Sequence, residues 1–168
     1  MVGIGVEQGI LLALVLSLLG HVRHSYRPHT ALILRDPTEH WRMDRVTPGK
    51  FIAEPGLVMY WFGADLFYAN AGRFTEEARR LVTESPSPVH WLAVDAGAIT
   101  DIDYSAGEAL KELRDDLVKL GVVLALARVT DQLHKDLGRL GLVDVIGSDR
   151  IFDSRRACVE AYRTQSRT

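Results

Sequence analysis

Apolar and polar positions change rhythm twice along this chain. Between Ile10 and Leu19 every residue but Ser17 is apolar, so no polar face is left. From Ala31 onward, short apolar runs alternate with stretches in which apolar residues return every three or four positions, the signatures of strand and of amphipathic helix. "ALILR", "KFIAE", "LVMYWFGA", "VHWLAVDA" and "VVLALAR" read as strands, with "RIF" as a short last one. "VHWLAVDA" and "VVLALAR" are near-continuously apolar, as expected of strands buried on both faces of a sheet. Glu54-Pro55-Gly56 reads as a hairpin-like turn between "KFIAE" and "LVMYWFGA". "TEHWRMDRVTPGK" is polar, with Pro48 and Gly49 as punctuation, and reads as a loop.

The helical stretches carry their own start and stop signals. In "NAGRFTEEARRLVTE", Phe74, Ala78, Leu81 and Val82 share a face and Asn70 is a plausible N-cap. In "SAGEALKELRDDLVKL", Leu110, Leu113, Leu117 and Leu120 form a stripe that Gly121 closes. Thr130 starts a helix carrying Leu133, Leu137 and Leu140, and Ser154 starts one carrying Cys158, Ala161 and Tyr162. Strands alternating with helices imply an α/β fold with crossover units and a largely parallel sheet, to which the early hairpin adds an antiparallel edge.

The first thirty residues are of another kind. Gly3 to Gly20 is at the short limit for a membrane span, which needs roughly 17–25 residues. Gly5, Gly9, Ala13 and Ser17 fall at every fourth position, a stripe of small residues that lets helices approach closely in lipid. "HVRHSYRPH" follows, with Arg23 and Arg27, and basic residues after a span mark its cytoplasmic side. Residues 3 to about 22 therefore read as the end of a membrane helix built to pack against other helices. A monotopic anchor and a helix inside the domain are the alternatives.

Composition narrows the function. The 168 residues are 47% hydrophobic and 25% charged, with a net charge of −2 and an isoelectric point near 6.3. A nucleic-acid binder would carry a basic excess, so that class is not expected. Cys158 is the single cysteine and can form no internal disulfide; a small buried hydrophobe is the expected role. No Gly-x-Ser-x-Gly elbow, His-Glu-x-x-His or Walker loop occurs, and the glycines of "GIGVEQG" do not have dinucleotide-binding spacing. No pair of the six histidines has metal-ligand spacing within the domain; His90 reads as an edge or core residue and His134 as solvated. Trp41, Trp61 and Trp91 read as packing residues. No catalytic residue, metal site or nucleic-acid partner is expected.

One stretch concentrates polar chemistry. "ITDIDYSAGEAL" follows the strand "VHWLAVDA" and opens a helix, at the carboxyl end of a strand where ligand sites gather in open α/β sheets. Ser105-Ala106-Gly107-Glu108 has the form of a capping box, and Asp101 and Asp103 suit a helix N-terminus on dipole grounds alone. An enzyme using Asp101 and Asp103 as an acid/base pair ranks last, since no nucleophile or metal cluster accompanies them.

Three blocks together resemble a family. "LLALVLSLLGHVRHSYRPH" is similar to the end of the last membrane helix of sulfate permease (SulP) anion transporters. "PGLVMYWFGADLFYANAGRF" resembles the opening of the STAS domain that follows in those transporters. "LAVDAGAITDIDYSAGEALKEL" resembles that domain's central strand, loop and helix. The resemblance covers nearly the whole chain in order. It implies residues 1–24 as the end of a transmembrane helix, 25–48 as a linker, and 49–165 as a cytoplasmic STAS domain, a small mixed β-sheet flanked by helices.

The implied function is that of a regulatory STAS domain of a sulfate or anion transporter at the inner (cytoplasmic) membrane, unable to transport alone because one partial helix cannot enclose a pathway. The implied partners are the transporter's transmembrane domain, the membrane through the N-terminal helix, and a second copy in a homodimer. The signature loop Thr100, Asp101, Ile102, Asp103, Tyr104, Ser105, Ala106 and Gly107 would contact a partner or ligand. A nucleotide or anion there would place phosphate at the N–H groups of Ser105 to Gly107, with Arg128 as countercharge, against repulsion from Asp101 and Asp103. The alternative is a stand-alone switch resembling anti-sigma-factor antagonists, in which a serine directly after the loop aspartate is phosphorylated. Here Tyr104 follows Asp103 and Ser105 comes one place later. A phosphate on Ser105 would face Asp101, Asp103 and Glu108.

Overall fold

The strands with the most continuous apolar runs occupy the middle of the sheet in the computed structural model, which describes residues 5–26, 28–35, 40–46 and 54–166, with backbone only over 19–26. β3 (Leu57–Phe62), β4 (Trp91–Asp95) and β5 (Val123–Ala127) are parallel, with Met59 beside Ala93 and Ala93 beside Ala125. β1 (Thr30–Arg35) runs antiparallel to β3, and β2 (Trp41–Asp44) antiparallel to β1. The order is β2-β1-β3-β4-β5, a mixed five-stranded sheet.

Among the described residues the antiparallel edge is supplied by β1 and β2. Residues 50–53 of the run "KFIAE" lie outside the described residues, while Glu54 pairs antiparallel with Leu57 across a turn in which Gly56 has φ +83°. A side chain at Gly56 would also collide with Tyr162 and His90. β2 corrects the loop reading of "TEHWRMDRVTPGK": Arg42 and Met43 stay exposed, and backbone pairing to β1 holds a strand that apolar patterning does not reveal. Part of the stretch read as a linker, 25–48, is therefore sheet. "RIF" contributes a single parallel bridge, Ile151 to Leu126.

Period-two alternation divides the core. Val58, Tyr60, Phe62, Leu92, Val94, Leu124 and Leu126 face α2 (Tyr68–Thr83), α3 (Tyr104–Lys119), α4 (Asp131–Arg139) and α5 (Leu142–Ile146). Leu57, Met59, Trp91, Ala93, Ala125 and Ala127 face α6 (Arg155–Gln165), with Trp41 and Trp61 packed half-buried at the margin. The expected helix faces are buried at Phe74, Ala78, Leu81, Leu110, Leu113, Leu117, Leu133 and Leu137. Leu120 is 52% exposed, because α3 ends at Lys119 and Leu120 caps it. Thr130 and Ser154 cap α4 and α6, accepting from the N–H groups of Leu133 and Ala157 at 3.2 Å. His134 is exposed, and His90 is exposed just before β4.

Cys158 is fully buried against the sheet, and burial pushes its thiol up to about 12. The thiolate is the reacting species, so the native protein is expected to resist iodoacetamide at pH 8 and to label only in denaturant. Labelling of the native chain at the rate of a free thiol would contradict this packing.

α1 (Val6–Tyr26) lies apart in character. Ile10, Leu11, Leu12, Leu14, Val15, Leu16 and Leu18 are each more than half exposed. Gly9, Ala13 and Ser17 lie on α1 and Gly5 just before it, all four exposed. Among the described residues no helix is long and apolar enough to cross a membrane.

Candidate functional site

The carboxyl ends of β3 and β4 run into two loops, 63–67 and 96–103, that are joined side by side. Leu66 donates its N–H to the Asp101 carbonyl at 3.1 Å, and Asp103 donates its own to the Leu66 carbonyl at 3.2 Å. Asp65 fastens the pair: its Oδ1 accepts from Thr100 N–H at 2.6 Å, Thr100 Oγ1 at 2.7 Å and Asp101 N–H at 3.0 Å. Asn70 is not the N-cap of α2. It sits one turn inside, accepts from Phe67 N–H at 3.0 Å and donates to the Asp65 carbonyl at 2.9 Å. Asp65→Ala is expected to lower stability by about 1–2 kcal/mol, since a carboxylate acceptor is lost but water reaches Thr100 and Asp101. Asp65→Asn keeps Oδ1 and should lose about half as much, which denaturant titration can resolve.

Asp103 does more. Its Oδ1 accepts from Ala106 N–H at 2.7 Å and its Oδ2 from Tyr68 N–H at 2.9 Å, so one carboxylate caps α3 and also holds the first residue of α2. This corrects the capping box. Asp103, not Ser105, is the N-cap; Ser105 lies exposed in the first turn, and Glu108 takes Lys111 Nζ at 2.8 Å instead of reaching back. Side chains and backbone at the helix start have competing acceptors to choose from, and the aspartate that also reaches Tyr68 wins two bonds where the serine would make one.

The remaining signature residues divide by burial. Ile102 and Ala106 are core residues. Gly107 is buried, and a Cβ there would meet Leu140 Cδ1 at 3.1 Å, so its smallness lets α3 pack close. Thr100 and Asp101 are exposed, Asp101 accepting from Ile102 N–H at 2.8 Å. Tyr104 is 70% exposed, and Tyr68, first residue of the helix joined to it, is 78% exposed. Two tyrosines therefore project where α2 and α3 begin. Beside them a cleft of about 250 Å³ is lined by Pro28, Ala64, Asp65, Phe67, Ala98 and Thr100.

Arg128 is turned elsewhere. It has φ +59°, a left-handed conformation uncommon for a side-chain-bearing residue, and its guanidinium packs over Gly97, where a Cβ would collide with it. It lies 3.5 Å from Asp95 Oδ1. Asp95 is fully buried; Oδ1 also accepts from Gly97 N–H at 3.0 Å, and Oδ2 accepts from Arg155 Nε at 2.5 Å. Asp65, Asp95 and Arg155 belong to no motif in the sequence, since their partners lie far along the chain. A charge closing an otherwise apolar strand was the available signal for Asp95. Among the described residues no group of three His, Cys, Asp or Glu is placed to hold a metal ion.

The STAS-domain family profile matches residues 51–158, spanning both loops and the helices they start. The chain belongs to the STAS-domain family. This STAS domain is 34% identical over 169 residues to a probable sulfate transporter of Mycobacterium tuberculosis, covering 96% of this chain and 29% of that protein. A probable sulfate transporter 4.2 of Arabidopsis thaliana is 27% identical, over 92% of this chain and 25% of that one. The chain thus spans under a third of the length of these relatives. Its fold is also that of the SulP transporter STAS domain from Vibrio cholerae, with a TM-score of 0.56 at 17% identity, over 73% of this chain and 89% of that one. In the murine solute carrier 26 family member A9 anion transporter the likeness covers 92% of this chain and 25% of that one, with a TM-score of 0.73 at 18% identity.

Proposed function

We propose that this STAS domain is the cytoplasmic regulatory domain of a SulP-type sulfate or anion transporter, attached through α1 to the transporter's membrane part at the inner membrane. The observation that carries the reading is the reach of the mycobacterial likeness, which takes in 96% of this chain and so includes the apolar helix as well as the domain. The exposure of the α1 leucines supports it, since a helix apolar all round is at home in lipid or among other helices. The Gly5, Gly9, Ala13 and Ser17 stripe would then pack on neighbouring membrane helices.

In this role the signature loop is a contact surface, not a catalytic one. Asp103 has consumed the Ala106 N–H, and Asp65, Asp101 and Asp103 set negative charge at the mouth of the loop, which disfavours phosphate there. Tyr68 and Tyr104 offer amphipathic rings of the kind enriched at protein interfaces. The test is reconstitution. Membrane-part proteoliposomes of the mycobacterial relative, with and without this chain, are assayed for sulfate uptake. The chain alone should move no sulfate, and it should change uptake by the membrane part, with the Tyr68→Ala/Tyr104→Ala pair losing that effect. Uptake indifferent to the chain, with no association in detergent, would overturn the reading.

A further inference from the structure

We propose that the groove between the end of β1 and the outer face of α6 is a binding site for a tetrahedral oxyanion of the phosphate or sulfate class. The groove has a volume of about 210 Å³ and is lined by Arg35, Arg156, Val159, Glu160 and Arg163. Three guanidinium groups reach it from two elements: Arg35 closes β1, while Arg156 and Arg163 stand two turns apart on α6. Buried Val159 lies between them, so the walls are cationic over an apolar floor. Planar guanidinium forks offer paired N–H donors to an oxyanion, and donors from three directions suit a tetrahedron better than a flat carboxylate.

The charges decide how much of this cationic lining is available. Glu54 pairs with Arg163 and lies 3.7 Å from Arg35 Nη1, sharing one carboxylate between two arginines. Exposed Glu160 adds a second negative charge at the rim. Arg156 is exposed and makes no ion pair or side-chain hydrogen bond among the described residues. Among the described residues Arg156 is therefore the guanidinium of the groove left uncommitted to a carboxylate. On the aromatic flank Arg35 and Arg155 lie over the Trp41 ring at 5.5 and 5.8 Å, the second of them already paired with Asp95.

Free anion and lipid phosphate share this chemistry. Arg35 lies five residues beyond Thr30, where the chain arrives from α1, a run of about 16 Å at strand rise. That distance from α1 favours the free oxyanion. The site is separate from the signature loop and stands whether or not α1 enters a membrane.

The test uses the full chain in detergent. Sodium sulfate and sodium phosphate are titrated calorimetrically at constant ionic strength, with sodium chloride as the control. Saturable one-to-one binding is expected for both, at least tenfold weaker in Arg156→Gln and partly restored in Arg156→Lys. Glu54→Gln should bind several-fold more tightly, because it releases Arg163. In parallel, binding to phosphatidylcholine vesicles with and without phosphatidylglycerol is compared for the native chain and Arg156→Gln. No free-anion binding, but a phosphatidylglycerol-dependent gain lost in Arg156→Gln, would assign the same groove to lipid phosphate. Equal affinity of the native chain and Arg156→Gln for every probe, or no binding to any, overturns the proposal. Arg156 is exposed and makes no side-chain bond among the described residues, so matched circular dichroism and melting of the variant are expected to exclude misfolding.

Discussion

Asp95→Ala is expected to be the most damaging single substitution at the sheet's carboxyl end, lowering stability by about 3–5 kcal/mol. Asp95 is fully buried, and its two oxygens serve three donors: Gly97 N–H, Arg128 and Arg155. Truncation leaves the Arg155 guanidinium, itself mostly buried, without its carboxylate, and a stranded buried charge costs more than the pair contributed. Arg155 opens α6, the helix covering the second face of the sheet, so the loss should register as looser packing there. Denaturant titration of the full chain in detergent measures the effect, and native-state labelling of Cys158 gives an independent readout because that thiol is sealed beneath α6. Arg155→Met is expected to cost less than Asp95→Ala, since Gly97 N–H and Arg128 stay on Oδ1 and keep the charge partnered while only Oδ2 loses its donor. A variant within 1 kcal/mol, as a surface ion pair would give, would show that Asp95 does not hold α6 in place.

Asp103→Ala is the second large effect, expected at about 2–3 kcal/mol. Loss of an N-cap accounts for roughly 1–2 kcal/mol of that. The remainder is the charge-assisted bond to Tyr68 N–H, whose loss leaves the start of α2 untied from α3. Asp103→Ser separates the two contributions. A serine can cap α3, but its single oxygen cannot also reach Tyr68, so that variant should recover about half the stability. Full recovery in Asp103→Ser would mean the inter-helix bond is energetically silent.

These two aspartates show where the sequence was legible and where it was not. Strands β1, β3, β4 and β5 were readable because burial on one or both faces leaves a local apolar record. Helices were readable from leucine spacing, and Thr130 and Ser154 could be named as caps because each bonds within its own turn. The pattern around Asp103 shows only a carboxylate suited to a helix start, because its second bond goes to Tyr68, 35 residues away, and no local pattern records such a partner. Asp65 reaches equally far, to Thr100 and Asp101. β2 was unreadable for a different reason: it lies at the sheet edge and is held by backbone pairing, with its middle side chains in water. The basic groove was hidden because Arg35 and Arg163 are brought together only by the passage of α6 across the sheet.

β1 has a mechanical meaning as well as a topological one. It receives the chain from α1 within a few residues and is bonded along both flanks, to β2 on one side and β3 on the other. Its hydrogen bonds stand across the strand axis. A pull applied along the β1 axis would therefore load both ladders in shear, many bonds resisting at once, instead of peeling them one by one. Through the β1–β3 ladder such a load would reach the parallel strands that carry the core.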